Sequence, residues 1–235
     1  RHHADIGQRL HTGEVDLAPQ RIAHATLAQQ PAVREGVHQH RGQVAIGAPA
    51  VLWDGLLLGW LAILRSESPH TAISASAGLA PSLTQRLLEG TLDLALMYRP
   101  MQPPGMLIEH LFDEELVLVT NTRSGSRRPG RDYVFIDWGP DFQLDHATAF
   151  PSHNSFGLNL DLGPFAVDFL LANEVSGYVP LRLARRHLTR GRLKLQKRAR
   201  KFVYPVYMVY PEARDEEAFE PILESLRGLV RARLS

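Results

Sequence analysis

Apolar and polar positions follow two different rhythms along this chain, and the rhythm changes at glycines and prolines. Residues 44–48 are nearly all apolar and stop at Pro49, the pattern of a short buried strand. Next comes the uninterrupted apolar run 55–64, bordered by Asp54 and Arg65. Such a run is apolar on every side of a helix, so a helix over 55–65 is expected to be buried on several sides, with Asp54 as its N-cap. It cannot cross a bilayer, which needs roughly 20 apolar residues. Pro69 ends it. Alternation over 71–77 predicts a second strand, a helix capped by Ser82 runs to Glu89 before Gly90, and 92–98 ("LDLALMY") form a third strand. Strand and helix alternate with short joints, which predicts a parallel α/β sheet with right-handed crossovers.

The pattern continues with strands at 107–111 and 115–120, then breaks at "NTRSGSRRPGRD" (121–132), a stretch of turn formers. Beyond it, strands are expected at 133–137, 178–180 and 204–210, and helices at 163–173, 181–189 and 216–234. Before the first strand, residues 17–40 carry a partial apolar stripe (Leu17, Ile22, Ala25, Leu27) behind Pro19. That segment reads as a helix needing a partner surface.

Composition narrows the chemistry. The 235 residues include no cysteine, which removes disulfides, a thiol nucleophile and cysteine-based metal sites. Net charge is +1, so no global basic field marks a nucleic-acid binder. Basic residues cluster at 126–131 and at 182–200 all the same, and a solvated surface is the expected reading of both. The start has no apolar stretch of signal-peptide length, and it lacks an initiating Met, which suggests a piece of a longer protein. Eleven histidines invite a metal, but His2 and His3 sit at the end and His38 and His40 fall on different helix faces. No HExxH, GxSxG, GxGxxG or phosphate loop is present. No cofactor, no metal and no catalytic role are expected.

The order of elements, together with particular segments, resembles the LysR-type transcriptional regulators. "GQVAIGAP" resembles the first strand of their effector domain. "LTQRLLEGTLDLALMYRP" resembles their helix–Gly–strand unit, and "LFDEELVLVTN" the segment that crosses between subdomains. "YVFIDWGPDF", "SGYVPLRLARRHL" and "YPVYMVYP" resemble a subgroup of the family, and "VDLAPQRIAHATLAQQ" the start of the linker helix. The linker departs from the family in placing Ala18 where a capping Thr is usual, so the cap is either lost or moved to Asp16. The resemblance implies an α/β, periplasmic-binding-protein-like fold of type II. Two Rossmann-like α/β subdomains are joined by two crossing strands and preceded by a linker helix. The implied division is 1–40 for the remnant of wing and linker helix, 41–120 with 207–235 for subdomain I, and 121–206 for subdomain II. It further implies a bacterial, cytoplasmic homodimer or homotetramer with no membrane association. DNA would be bound through a winged helix-turn-helix absent from this chain.

Candidate site residues come from two arguments. In open parallel sheets ligands bind beyond the carboxyl ends of the strands. That rule selects Pro49, Ala50, Val51, Leu52 and Trp53, then Ser76, Ala77 and Gly78, then Tyr98, Arg99 and Pro100, then Asp137, Trp138 and Gly139. The resemblance supports the first, second and fourth of these loops and adds Thr120 with Asn121, and Ser176, Gly177 and Tyr178. The helix after the first strand should aim its N-terminus at the cleft and favour an anion. The 49–53 loop has no hydroxyl, so a more apolar or aromatic effector than is usual is expected, with Ser76 supplying the missing hydroxyl; the partner expected is a small-molecule effector, a small organic acid or aromatic compound. Arg99 is either a charged contact to the effector or a surface ion pair. Trp138 either stacks on the ligand or packs between subdomains, and Asp137 either caps the next helix or touches ligand. Ser176 and Gly177 are expected to form a tight turn beside it, with Tyr178 as a contact. "DEEL" (113–116) reads as an exposed turn. Two rival functions share the fold: a solute-binding protein of a transporter, and a dehydratase-like enzyme.

Overall fold

The computed structural model describes residues 42–122, 128–152 and 157–234. The predicted helix at 17–40, the linker cap and the four histidines discussed above lie outside the described residues. Strand β1 (Gln43–Ala48) leads into a short helix α1 (Ala50–Leu52), and α2 (Leu58–Glu67) follows after a wide turn over 53–57. The predicted single helix from residue 55 is therefore corrected. Asp54 has an extended ψ of 130° and Gly55 a left-handed φ of 71°, so the chain kinks there and α2 starts a turn later. Asp54 does not cap it: the N-cap is Leu57, with no side-chain cap bond. Glycine suits this position on two counts, because its backbone is left-handed and a Cβ there would lie 3.3 Å from the guanidinium of Arg182.

Strand β2 (Ala72–Ala77) precedes α3 (Ala80–Leu88), whose N-cap is Leu79 rather than the predicted Ser82, with proline in the first turn. Proline fits there because the first N–H groups of a helix have no intrahelical acceptor. Gly90 then takes a φ of 67°, as a helix stop requires. Strand β3 (Leu94–Tyr98) is buried over its first four residues. Strand β4 (Met106–Thr120) replaces the two predicted strands, with a bulge between His110 and Phe112, just before the break expected at 112–114. The irregularity shifts register without ending the pairing.

The remaining elements are β5 (Phe135–Ile136), α4 (Pro140–Ala149), β6 (Asn159–Leu160), α5 (Ala166–Ala172), β7 (Ser176–Pro180), α6 (Leu181–Thr189), β8 (Lys194–Leu195), β9 (Phe202–Pro211) and α7 (Glu216–Leu234). A turn of 3-10 helix over 163–165 leads into α5. The predicted helices at 181–189 and 216–234 match α6 and α7.

Strand order is β2-β1-β3-β9-β4-β7, with β8 beside the end of β4; β5 and β6 pair separately. Strands β1, β2 and β3 are parallel, whereas β9 is antiparallel to both β3 and β4. Strand β4 thus runs in the direction of β3 and continues beyond it. Its first half pairs with the carboxyl half of β9; its second half pairs with the start of β9 and, antiparallel, with β7. Two long strands are therefore shared by two lobes. One lobe carries β1–β3 with α2, α3 and α7, and the other carries β5–β7 with α4, α5 and α6.

Three apolar clusters fill the structure. The largest joins β1, β3 and β9 to α2 and α7, and extends to α5 and α6. The second is aromatic, built from Tyr133, Phe135, Phe142, Phe150, Tyr178, Phe202 and Tyr204 around the buried His146. Leu83 and Leu87 seat α3 on Leu92, Ala95, Met97 and Val209 in the third.

Candidate functional site

Register locates the gap between the lobes. Tyr98, at the end of β3, pairs with Val206, which pairs with Phe112 of β4. Pro180, at the end of β7, pairs with Leu116. The carboxyl ends of the two sets of strands therefore face each other across four residues of β4, about 13 Å at strand rise. Into this gap come the 49–53 loop, the ends of β2 and β3, the loop after β5, and the first turn of α6. The lobes touch there: a Cβ on Gly163 would lie 4.0 Å from that of Ala50.

The centre of the gap is held by a residue that the sequence reading did not single out. Arg182, in the first turn of α6, donates from Nη2 to Glu114 Oε2 at 2.7 Å and to the Val51 carbonyl at 2.9 Å. Its Nη1 donates to the Asp54 carbonyl. The side chains of Arg182 and Glu114 are 6% and 2% exposed, and Arg182 Nε is buried with no acceptor among the described residues. A guanidinium near a helix N-terminus opposes the helix dipole, so the Glu114 carboxylate compensates an unfavourable position as well as a buried charge. Tyr98 donates to the same carboxylate oxygen at 3.3 Å. Burial, and then the negative charge of Glu114, push the Tyr98 hydroxyl well above its ordinary pKa.

This arrangement corrects two expectations. The first lobe offers the gap the carbonyls of Val51 and Asp54, and the cation that meets them comes from the other lobe. "DEEL" is not an exposed turn: Glu114 is buried within β4. The signal was present, since Phe112, Glu114 and Leu116 alternate with Asp113 and Glu115 and share one strand face.

The other candidates are engaged as follows. Trp53 is buried, and its indole N–H is shared between the carbonyls of Ala48 and Ser76, both at 3.1 Å. This ties the loops after β1 and β2 together, as does Gly78 N–H to the Ala48 carbonyl at 3.1 Å. The Ser76 hydroxyl accepts from Arg86 at 2.7 Å. Pro49 is half-buried and Val51 buried, whereas Ala50 and Ala77 are exposed. Arg99 has a left-handed φ of 39° and reaches across to Asp141 of α4 at 3.2 Å, with its guanidinium 5.7 Å from the Tyr204 ring. It makes the surface ion pair, and that pair spans the lobes. Asp137 accepts from Gly139 N–H at 2.8 Å and from Gln143 at 2.6 Å, which secures the start of α4. Trp138 donates to the Tyr178 carbonyl at 2.7 Å and packs against two of the apolar clusters.

Thr120, Asn121, Ser176 and Gly177 are not brought to this gap. Thr120 pairs with Ser176 at the far end of β7, four residues or about 13 Å from Pro180. Ser176 and Gly177 lie in a strand, not the predicted turn. A Cβ on Gly177 would meet Ile136, the Val134 carbonyl and Leu170 at 3.1–3.3 Å, so this glycine serves close packing. Tyr178 is fully buried in the aromatic cluster, its hydroxyl donates to the Arg200 carbonyl at 2.9 Å, and burial pushes its pKa to about 12. Among the described residues, no group of three or more His, Cys, Asp or Glu side chains could hold a metal ion.

Two lobes that share crossing strands, with strand ends facing across a charged gap, define a two-lobed α/β ligand-binding domain. The sequence comparisons give the family: the model described as "LysR substrate binding domain" matches residues 38–231, and the chain belongs to that family. Among curated relatives, the HTH-type transcriptional regulator HdfR of Escherichia coli O17:K52:H18 (strain UMN026 / ExPEC) is 32% identical over 122 residues. The match covers 50% of this chain and 43% of that protein. HdfR of Shigella boydii serotype 18 gives the same figures. The matched segment thus spans less than half the length of these curated relatives. Among solved structures, the bromide-bound regulatory domain of HypT from Salmonella typhimurium aligns with a TM-score of 0.67 at 17% identity, covering 84% of this chain and 99% of that one. The reduced OxyR regulatory domain from Pseudomonas aeruginosa gives 0.65 at 15% identity, covering 80% and 96%. At such identities these likenesses establish the fold: periplasmic-binding-protein-like, as the resemblance implied.

Proposed function

We propose that this effector-binding domain senses a small organic acid or aromatic acid in the gap between its lobes and passes the signal to a winged helix-turn-helix outside the chain. The carrying observation is the buried Arg182–Glu114 pair, which ties the second lobe to the crossing strand and to two carbonyls of the first. An acid entering the gap exchanges one carboxylate for another on Arg182, and the lobes settle into a different arrangement. That is a population shift with a differential contact, as ligand-driven change requires. Arg99 with Asp141 is the second contact expected to rearrange, and Pro49–Val51 with Trp138 form the apolar wall. The domain acts as a sensor rather than an enzyme, in a cytoplasmic homodimer or homotetramer that binds DNA. In this reading subdomain I is 41–120 with 207–235 and subdomain II is 121–206, and the crossing strands β4 and β9 support that division.

A thermal-shift screen of small aliphatic and aromatic acids tests this reading. A ligand at 100 times its dissociation constant stabilises by roughly 2.7 kcal/mol, and Arg182→Met should abolish the shift. A shift fully retained in that variant places the ligand elsewhere.

A further inference from the structure

Residues 181–201 carry ten cations: Arg182, Arg185, Arg186, Arg190, Arg192, Lys194, Lys197, Arg198, Arg200 and Lys201. They include no Asp or Glu. The whole chain has 26 Lys and Arg against 25 Asp and Glu. Subtracting ten cations leaves 16 against 25, so the rest of the chain carries −9. The near-neutral total conceals a strong charge separation.

Three of the ten are spoken for: Arg182 by Glu114, Arg186 by Asp54 at 3.7 Å, and Lys201 by Glu115 at 3.0 Å. The other seven are exposed and form no ion pair with any described residue. They follow one another along the chain from α6, through the turn at Gly191 and β8, to the residues just before β9. The His187 imidazole is held below its ordinary pKa, first by burial and then by Arg186 and Arg192. Bland explanations cover only part of this run. Cations in the last turn of a helix complement its dipole, which accounts for Arg186. One lysine on an edge strand discourages edge-to-edge pairing, which accounts for Lys194. Arg185, Arg190, Arg192, Lys197, Arg198 and Arg200 remain.

We propose that this run of cations is a docking surface for the phosphate backbone of duplex DNA, separate from the gap between the lobes and from any recognition helix. Arginine predominates, and its planar fork suits phosphate oxygens. A small-molecule site fits less well. The depression on this face, lined by Val117, Leu118, Leu195, Lys197 and Arg200, has a volume of about 220 Å³, less than the roughly 300–1,000 Å³ usual for enclosed ligands. A polyanion running across the surface needs no enclosure. Such contacts position without reading sequence. The proposal goes beyond the sensor reading and does not depend on it, because it is tested on this chain alone.

The test is binding of the 235-residue chain to a fluorescent 24-base-pair duplex of arbitrary sequence, by anisotropy from 30 to 200 mM salt. The log of the affinity should fall linearly with log salt, with a slope of about −0.9 per phosphate neutralised. Arg190→Gln/Arg192→Gln/Lys197→Gln/Arg198→Gln should flatten that slope by roughly 3 to 4 and weaken binding at 100 mM salt by about two orders of magnitude. All four side chains are exposed, so circular dichroism and the melting midpoint should stay as in the parent chain. Arg65→Gln/Arg233→Gln, on α2 and α7, should bind as the parent does. Three results would overturn the proposal: no binding at 30 mM salt, equal losses in the two variants, or poly-L-glutamate binding as tightly as the duplex with the same salt slope.

Discussion

Arg182 is the buried ionic link between the lobes, and its surroundings show what it contributes. Its guanidinium satisfies two carbonyls that the break at Asp54 and Gly55 leaves pointing into the gap, and it neutralises a carboxylate with almost no access to water. Removing one partner of such a pair strands the other charge, which typically costs about 3–5 kcal/mol, whereas replacing both is far milder. Arg182→Met should therefore lower unfolding stability by about that amount in urea melts. Glu114→Gln/Arg182→Met should lose clearly less than the sum of the two single losses. Additive losses would mean that the two side chains act independently. The pair was half legible in the sequence. Alternation along β4 places Glu114 inward, but nothing in the order of residues tells which cation 68 positions later will reach it. Gly177 shows the same limit from the other side. A glycine forced by neighbouring side chains and a glycine forced by a turn look identical until the packing is known.

Elements were easier to foresee than their ends. Helices α6 and α7 follow from their apolar spacing and from the glycine or charge that closes them. The α2 region did not, because an apolar run fits either one buried helix or two short ones separated by a kink, and periodicity cannot tell which. The two strands expected at 107–120 merged into β4, since a bulge keeps the backbone paired where the side-chain pattern slips. The sheet and α4 together build the aromatic cluster, and it carries its own prediction. Burial raises the pKa of Tyr133, Tyr178 and Tyr204, that of Tyr178 to about 12. Tyr98 is raised as well. In the unfolded chain these hydroxyls ionise near 10. A raised folded value means that the folded state keeps its protons longer. The resulting stability is fully present below pH 10 and lost as pH rises through the folded values. The urea midpoint should hold up to about pH 9.5 and fall steeply by pH 11.5, with tyrosinate absorbance at 295 nm rising together with unfolding. Tyrosinate appearing fully before the loss of structure would show that the cluster is open to solvent.

At the scale of the whole molecule, two lobes share β4 and β9, so either lobe can rotate about the crossing strands without breaking the sheet. What opposes that motion is the apolar cluster that runs from β1, α2 and α7 into α5 and α6, together with a short set of polar links between lobes: Arg182 to Glu114 and the 51–54 carbonyls, Arg186 to Asp54, and Arg99 to Asp141. Two lobes were implied by the resemblance to LysR regulators, whereas the alternation of strands and helices gave only the parallel α/β class. The loops selected by the strand-end rule do converge on the gap, whereas the four residues 120, 121, 176 and 177 lie at the opposite end of β7. The rule selects loops that meet at the gap because it depends only on strand direction. The others lie away from it because their distance from the crossing depends on the antiparallel register of β7, which no local pattern reveals. The chain has no cysteine, so two can be added cleanly. With Leu79→Cys and Leu144→Cys, 77% and 68% exposed on separate lobes, spin labels report the inter-lobe distance by pulsed dipolar spectroscopy. The parent background should give one narrow distribution, Arg182→Met a broader one displaced to longer distance, and a binding organic acid a shift in the parent only. One unchanged distribution under all three conditions would contradict a hinge latched by Arg182.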